Sequence, residues 1–310
     1  MSSVSAGYRA QVSTAAERSG LSVSLHALGI GAGSQPDVMT AVAIAAEQAG
    51  FTRLWCGEHV VMVDEPASRY PYSDDGRIAV PADADWLDPL LALSYLASVT
   101  RKIRLATGVL LLPEHNPLIV AKQAATLDRL SGGRFDLGVG AGWSAEEYAA
   151  LGVPFGRRGQ RTEEYVAAMR RVWSDDPATF HGMFVNFDGV RVNPRPHRAG
   201  QIPVIFGGTS APALQRAAAM GDGWYGFSLD AGEVGAQLGE LTEQRLAAGR
   251  PMAGMLVAVS LRDGGPDQLP ALAEAGATEL VLVAAPPDDP ADAAGWVREL
   301  AGTWGVAARP

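Results

Sequence analysis

Phe135-Asp136-Leu137-Gly138-Val139-Gly140-Ala141-Gly142-Trp143 is a short β-rich run that ends in spaced glycines and then gives way to a helical pattern. Read outward from this stretch, the same order recurs along the chain. Candidate strands lie at Leu21–Ala27, Thr52–Gly57, Ile103–Val109, Phe135–Gly140, Ile202–Gly207, Gly223–Ser228, Met255–Leu261 and Glu279–Ala284, each followed by a helical pattern. Strands alternating with helices are the sign of parallel strands joined by helical crossovers, and eight such units imply a closed α/β (β/α)8 TIM barrel. The chain has 310 residues, 47% of them hydrophobic, which is enough for one large core. The expected organisation is an N-terminal extension over residues 1–20 and one barrel domain over 21–310.

Helix punctuation agrees with this order. Asp37 is placed to cap a helix running to Ala49, Gly50 to stop it, and Pro117 to start the helix Leu118–Leu130. Two insertions interrupt the pattern. Val60–Asp85 has no period and carries Pro66, Pro71, Gly76 and Pro81, so it reads as a long connection after strand two. Phe184–Val192 alternates around Asp188-Gly189, a dipeptide suited to a hairpin turn, between strands four and five.

A formal charge of −9 gives no basic field for nucleic acid, and one cysteine, Cys56, excludes an internal disulfide framework. Cys56 reads as a buried small hydrophobe, and Cys/His clusters that would suit a metal are missing from the sequence. The first twenty residues lack the apolar core of a secretory signal, and no run is long enough to span a bilayer. The expectation is a cytoplasmic enzyme without membrane or nucleic-acid partners.

In a barrel of this kind the chemistry sits at the carboxyl ends of the strands. Strand two ends in Glu58-His59, a carboxylate beside an imidazole that can exchange protons near neutral pH. Strand three ends in Thr107-Gly108-Val109, where a glycine inside an apolar run marks a bulge or close approach to a ligand. Gly140-Ala141-Gly142 after strand four and Phe206-Gly207-Gly208-Thr209 after strand five precede helices, where backbone amides are free to meet a phosphate. The glycines after strand four lack the later acidic partner of a dinucleotide fingerprint and belong to the fourth unit, which excludes a Rossmann assignment. His26, at the end of strand one, and Trp143 are candidate pocket residues. Arg157, Arg158 and Arg161 sit at the start of a helix Glu163–Trp173, with Arg161 the best placed of the three to reach a phosphate.

These segments, together with Ser68-Arg69-Tyr70-Pro71 and the run Ala121-Lys122-Gln123-Ala124-Ala125-Thr126-Leu127-Asp128-Arg129-Leu130-Ser131-Gly132-Gly133-Arg134, resemble the bacterial luciferase-like family over about residues 21 to 304. The resemblance is strongest to its coenzyme F420-dependent oxidoreductases of actinobacteria. It implies a tricyclic ring across the strand ends, its phosphate at the glycines after strands four and five, and a non-proline cis peptide joining Gly108 to Val109. It also implies a homodimer paired through the helices after strands two and three, including Trp86–Thr100 with Leu87, Leu90, Leu91 and Leu93. Glu58 and His59 match the family's acidic-residue/His pair. The resemblance therefore implies an F420-dependent hydride transfer to or from an organic carbonyl, alcohol, C=C or C=N group, with His59 as proton donor and Glu58 holding the ring edge or setting the imidazole state. The family's sugar-phosphate dehydrogenases carry an acidic residue directly after the strand-four glycines; this chain has Trp143 there, which argues against a sugar phosphate. Three other readings are an FMN-dependent monooxygenase served by a separate reductase, a non-catalytic flavin-binding protein, and a hydrolase or lyase on the same barrel.

Overall fold

The computed structural model describes residues 19–198 and 201–308. Nearly all of the expected N-terminal extension lies outside them. The strands are β1 (Ser22–His26), β2 (Arg53–Cys56), β3 (Arg104–Thr107), β4 (Leu110–Leu111), β5 (Phe135–Gly140), β6 (Ala178–His181), β7 (Asn186–Val190), β8 (Val204–Gly207), β9 (Gly223–Leu229), β10 (Leu256–Leu261) and β11 (Glu279–Val283). The main sheet runs β3-β2-β1-β11-β10-β9-β8-β5, and a further β3–β5 pairing closes the ring. Every pairing in it is parallel. All eight sequence-predicted strands are present, as a (β/α)8 barrel with insertions after β2 and between β5 and β8. The two residues of β4 continue β3 past the Gly108–Val109 bond, which is cis, and pair with Val139 and Gly140.

The helices α1 (Pro36–Ala49), α2 (Pro89–Val99), α3 (Pro117–Leu130), α4 (Ala145–Ala150), α5 (Arg158–Ser174), α6 (Ala211–Met220), α7 (Ala231–Ala247), α8 (Leu269–Ala275) and α9 (Pro290–Trp304) follow the strands. Among the described residues no helix is long and apolar enough to cross a membrane. Gly50 stops α1 in the left-handed conformation and Pro117 opens α3, whose actual cap is the side chain of Asn116. Asp37 does not cap α1; Gln35 holds the cap position and Asp37 sits in the first turn, where its charge meets the helix dipole. The hairpin between the fourth and fifth units is there, but its turn lies at residues 182–185. Asp188 and Gly189 belong to β7 instead, where Gly189 has φ +61° and the β6–β7 register shifts, so the left-handed glycine serves a bulge.

The period-two alternation of each strand sorts its residues between the barrel interior and the helical layer. Trp55, Ala106, Ile205, Tyr225, Ala258 and Val281 form the inner cluster. Their neighbours Leu54, Cys56, Leu105, Val204, Phe206, Trp224, Val257 and Leu280 pack outward with the helices. Cys56 is fully buried there, and burial lifts its thiol to about 12, which leaves it inert.

One layer below the inner cluster, Arg53 bridges Asp136 and Glu279, Arg104 also binds Asp136, and Trp55 Nε1 donates to Glu279 at 3.0 Å. Burial opposes the guanidinium charge of Arg53, but the two carboxylates outweigh it and raise its pKa. Removing one member of such a buried set leaves uncompensated charge and typically costs about 3–5 kcal/mol. Arg53→Leu is therefore expected to lower stability in urea unfolding by about that amount, whereas Arg171→Ala, which removes only the exposed pair with Asp175, leaves the midpoint unmoved. Equal effects of the two would show that the buried set does not hold the barrel base.

Candidate active site

Above the inner cluster the barrel opens into a cavity of about 480 Å³ at the carboxyl ends of the strands. The opening follows from which residues share the inward face at that level: Gly57, Gly108, Gly140 and Gly207 present no side chain. Val109 occupies part of the space they leave. A Cβ at Gly140 would stand 2.6 Å from Val109 Cγ2, and one at Gly207 would stand 2.8 Å from Val109 Cγ1. These glycines thus make room for the Val109 platform, which together with Gly108 floors the cavity.

His26, Glu58, His59, Gly108, Val109, Trp143, Gly207 and Gly208 all line the cavity, as the sequence suggested. Six other candidates do not. Thr107 is fully buried and donates to Gly138 O at 2.6 Å, and Phe206 lies in the helical layer. Both have outward parity on their strands. Gly140, Ala141, Gly142 and Thr209 surround the rim without lining the cavity. Arg161 is withdrawn from any phosphate: its guanidinium is buried and donates to Pro154 O at 2.8 Å.

His59 is held by a residue that the sequence analysis did not single out. Its Nδ1 lies 2.7 Å from Glu147 Oε2, while Glu147 Oε1 accepts from the backbone N–H of Val60 at 2.7 Å and of Val61 at 3.2 Å. This contact fixes the ring through Nδ1 and leaves Nε2 as the nitrogen open to a ligand in the cavity. The rings of Trp86 and Trp143 pack edge-on to the imidazole at 4.9 and 5.8 Å.

Glu58, the expected partner of that imidazole, is turned elsewhere. Its Oε2 accepts from Leu111 N at 2.6 Å and both oxygens lie 3.1 Å from His115 Nε2. Burial disfavours charge on His115, but the hydrogen bond and charge of Glu58 prevail and raise its pKa. Near both carboxylates stands Glu114, 8% exposed, with neither oxygen hydrogen-bonded among the described residues. Burial, and then the charges of Glu147 and Glu58, push its carboxyl up to about 9, so it is a neutral acid at pH 7. These residues come from segments up to 88 positions apart. The chemical signal in the sequence was Glu146-Glu147 in the first turn of a helix directly after the strand-four glycines.

The long connection after β2 forms the cavity roof. Glu146 Oε1 accepts from Ala67 N and Ser68 N, and Ser68 Oγ accepts from Ala145 N, which pins the connection to the start of α4. Edge-on aromatic contacts then run from Trp143 to Tyr70, Tyr72, Phe227 and Tyr225. Burial raises the Tyr72 phenol to about 12 and those of Tyr70 and Tyr225 further, so these phenols stay neutral, while Arg77 of the same connection also lines the cavity.

At the rim, α6 starts three residues after Gly208 and its N-cap Ser210 makes no side-chain capping bond; Pro212 carries no N–H and Ala213 N donates to Ser210 O at 2.8 Å, which leaves the N–H of Ala211 as the free one of the first three positions. Arg158 stands at the opposite glycine turn, donating to Gly142 O at 3.1 Å. A helix start favours an anionic group.

The sequence profile of the luciferase-like monooxygenases matches residues 17–262, and the chain belongs to that family. An uncharacterised protein of Mycobacterium tuberculosis (strain H37Rv) is 36% identical over 262 residues, which is 84% of this chain and 92% of the relative. Among solved structures, an F420-dependent secondary alcohol dehydrogenase in complex with an F420-acetone adduct superposes with a TM-score of 0.70 at 18% identity, over 92% of this chain and 99% of that one. The monooxygenase RslO1 of Streptomyces bottropensis gives 0.66 at 20% identity, over 90% and 98%.

His26 provides a test of the site independent of any ligand. It is 9% exposed, its Nδ1 lies 3.4 Å from Tyr225 Oη, and burial lowers its pKa from 6.5 to about 4. The folded protein keeps this ring neutral where the unfolded chain protonates it. Its contribution is complete above about pH 6.5 and is lost as pH falls toward 4, on the order of 3 kcal/mol in all. Wild-type stability is expected to fall across this window and His26→Phe to flatten the fall, both read from urea midpoints; parallel curves would show that His26 is not buried neutral.

Proposed function

We propose that this chain is an F420-dependent oxidoreductase that transfers a hydride between the deazaflavin and an organic substrate, a carbonyl/alcohol pair or a C=C or C=N bond. The observation that carries this reading is His59, tethered through Nδ1 to Glu147 and opening Nε2 onto an apolar, aromatic-walled cavity. Hydride transfer to a carbonyl needs one proton beside the reacting carbon and a cavity that excludes water, and this site offers both. When bound, the deazaflavin supplies the two-electron hydride chemistry. Gly108 and Val109 support the ring in this reading, and Gly207, Gly208 and the start of α6 receive its phosphate. His59 holds the proton at Nε2, and Glu147 and Glu58 fix the two histidines. Trp143, standing where an acidic residue would be needed, argues against a sugar phosphate.

The second reading is an FMN-dependent monooxygenase supplied with reduced flavin by a separate reductase. The family's own description and the likeness to RslO1 favour it. Titration of the protein with F420 and with FMN, each oxidised and reduced, separates the two by ligand fluorescence; tighter binding of FMN would overturn the deazaflavin assignment. His59→Ala is expected to leave the F420 dissociation constant within a few-fold while lowering turnover by roughly 10²–10⁴, the range of general acid–base assistance. Loss of binding with normal turnover per bound cofactor would assign His59 to binding instead, and a protein that binds but never turns over would favour a non-catalytic flavin carrier.

We also propose one barrel domain from residue 21 onward, acting in the cytoplasm as a homodimer. Leu90 and Leu93 of α2 are buried in the core, but Leu91 is 69% exposed, and Tyr95 of the same helix and Ile119 of α3 are exposed as well. Exposed apolar side chains on adjacent helices suit a self-complementary interface. Leu91→Lys is expected to shift sedimentation at micromolar concentration from dimer to monomer; a wild-type monomer would overturn the proposal.

A further inference from the structure

The roof carries a charge that the mechanism above leaves unused. A second cavity, of about 540 Å³, lies between the connection after β2 and the start of α4, and His59, Arg77, Ile78, Val80 and Trp143 border both it and the first. Among the described residues Arg77 is the one lysine or arginine that borders either cavity. The turn that carries it is braced. Arg77 N donates to Asp75 Oδ1 at 2.9 Å, Ser73 Oγ donates to Arg77 O at 2.7 Å, and Arg69 Nη2 donates to Asp74 O at 3.1 Å. The guanidinium itself has no hydrogen bond and no carboxylate in salt-bridge contact among the described residues; its charge reaches Asp75, whose Oδ1 is taken by the backbone. The other ionisable groups at the first cavity are engaged or uncharged. Glu58 is held by Leu111 N and His115, His59 is held by Glu147, and burial keeps His26 and the three phenols neutral.

We propose that Arg77 selects the substrate, by pairing with the carboxylate of an organic acid whose apolar body fills the aromatic-walled cavity beside His59. A guanidinium presents parallel N–H groups that match the two oxygens of a carboxylate, and the apolar walls limit screening of the pair by water. The first cavity suits such an anion better than the second, because Asp64, Glu65 and Glu147 border the second and repel it. A phosphate suits this wall less well, since its second negative charge finds no second lysine or arginine there. The cofactor does not compete for Arg77. In the reading above its phosphate sits at Gly207 and Gly208, at the end of β8, and β3 and β5 separate β8 from β2 in the ring. The inference rests on the oxidoreductase reading for the place of the reacting bond, whereas the preference for an apolar acid belongs to the protein alone.

The test compares octanoate, octanamide and octyl phosphate, with dissociation constants read from tryptophan fluorescence, since Trp86 and Trp143 line the cavity. A net charge of −9 repels anions from the chain as a whole, so a preference for octanoate reports a local contact. Wild type is expected to bind octanoate roughly ten-fold or more tighter than octanamide, the scale of a charge-assisted hydrogen bond. Arg77→Gln should bring the two constants together by weakening octanoate while octanamide stays within a few-fold, and Arg77→Lys should keep part of the preference. Equal binding of the two by wild type, or a preference that survives in Arg77→Gln, would overturn the assignment. Octyl phosphate binding tighter than octanoate, with the difference lost in Arg77→Gln, would overturn the carboxylate as the group selected. The comparison is then repeated with F420 bound. A preference that disappears there would show that octanoate had occupied the cofactor's place and would overturn the substrate role of Arg77, whereas failure of F420 to bind would overturn the oxidoreductase reading and leave the comparison of octanoate with octanamide standing.

Discussion

A closed ring of eight parallel strands has one interior, and the residues at each register level decide whether that level is solid or hollow. Here the lowest level is ionic, with Arg53 between Asp136 and Glu279, and the next is packed by Trp55, Ile205, Tyr225 and Val281. The third is hollow because four strands arrive there with glycine. Its emptiness is controlled rather than slack, since the Val109 side chain fills the space beside Gly140 and Gly207. The cavity, its floor and the direction from which a ligand enters all follow from this change along a single parity, from charged to apolar to absent side chains.

The electrostatics above that level follow from how few polar partners so dry a region can supply. Three glutamates meet behind the cavity wall, and their surroundings separate them. Glu147 collects two backbone N–H groups and an imidazole, and Glu58 collects one N–H and another imidazole. Glu114 collects none. Burial without a donor, next to the charges of Glu147 and Glu58, pushes Glu114 toward its neutral form. The same competition explains why Glu58 is not the partner of His59 although it precedes it in the chain. Adjacent residues at a strand end point to opposite sides, so Glu58 reaches Leu111 and His115 while His59 reaches the first turn of α4.

The barrel was legible because its signal is periodic and local: eight β-rich runs, each followed by a helical pattern, need no knowledge of distant contacts. Local chemistry was less reliable where two residues competed for one role. Asp37 lost the cap of α1 to Gln35, and Asp188-Gly189 served a bulge instead of a turn. Within the site, proximity to a strand end selected Thr107 and Phe206, whereas parity sends both outward. That error could have been avoided from the sequence alone, because Trp55, Ala106 and Ile205 set the inward phase. Glu147, Glu114 and His115 were a different matter. Their roles exist only once the segments after β2, β4 and β5 are brought together, and nothing in the spacing of the residues reports that meeting.

The two imidazoles at the cavity show what the fold has arranged. His26 faces a phenol and is kept neutral by burial down to about pH 4, so it borders the cavity without supplying a proton in the neutral range. His59 faces a carboxylate that is itself fixed by two backbone donors, so its ring has a fixed orientation. In the proposed reading proton transfer is thereby confined to one side of the cavity, toward α4, while Tyr72, Phe227 and Tyr225 make the other side aromatic. A reacting carbon over Val109 would have its oxygen stabilised only if that oxygen pointed toward His59. In that reading the orientation of the substrate is decided by the asymmetry between two histidines, one kept neutral by burial and one held by Glu147, more than by any pocket shaped to a particular molecule.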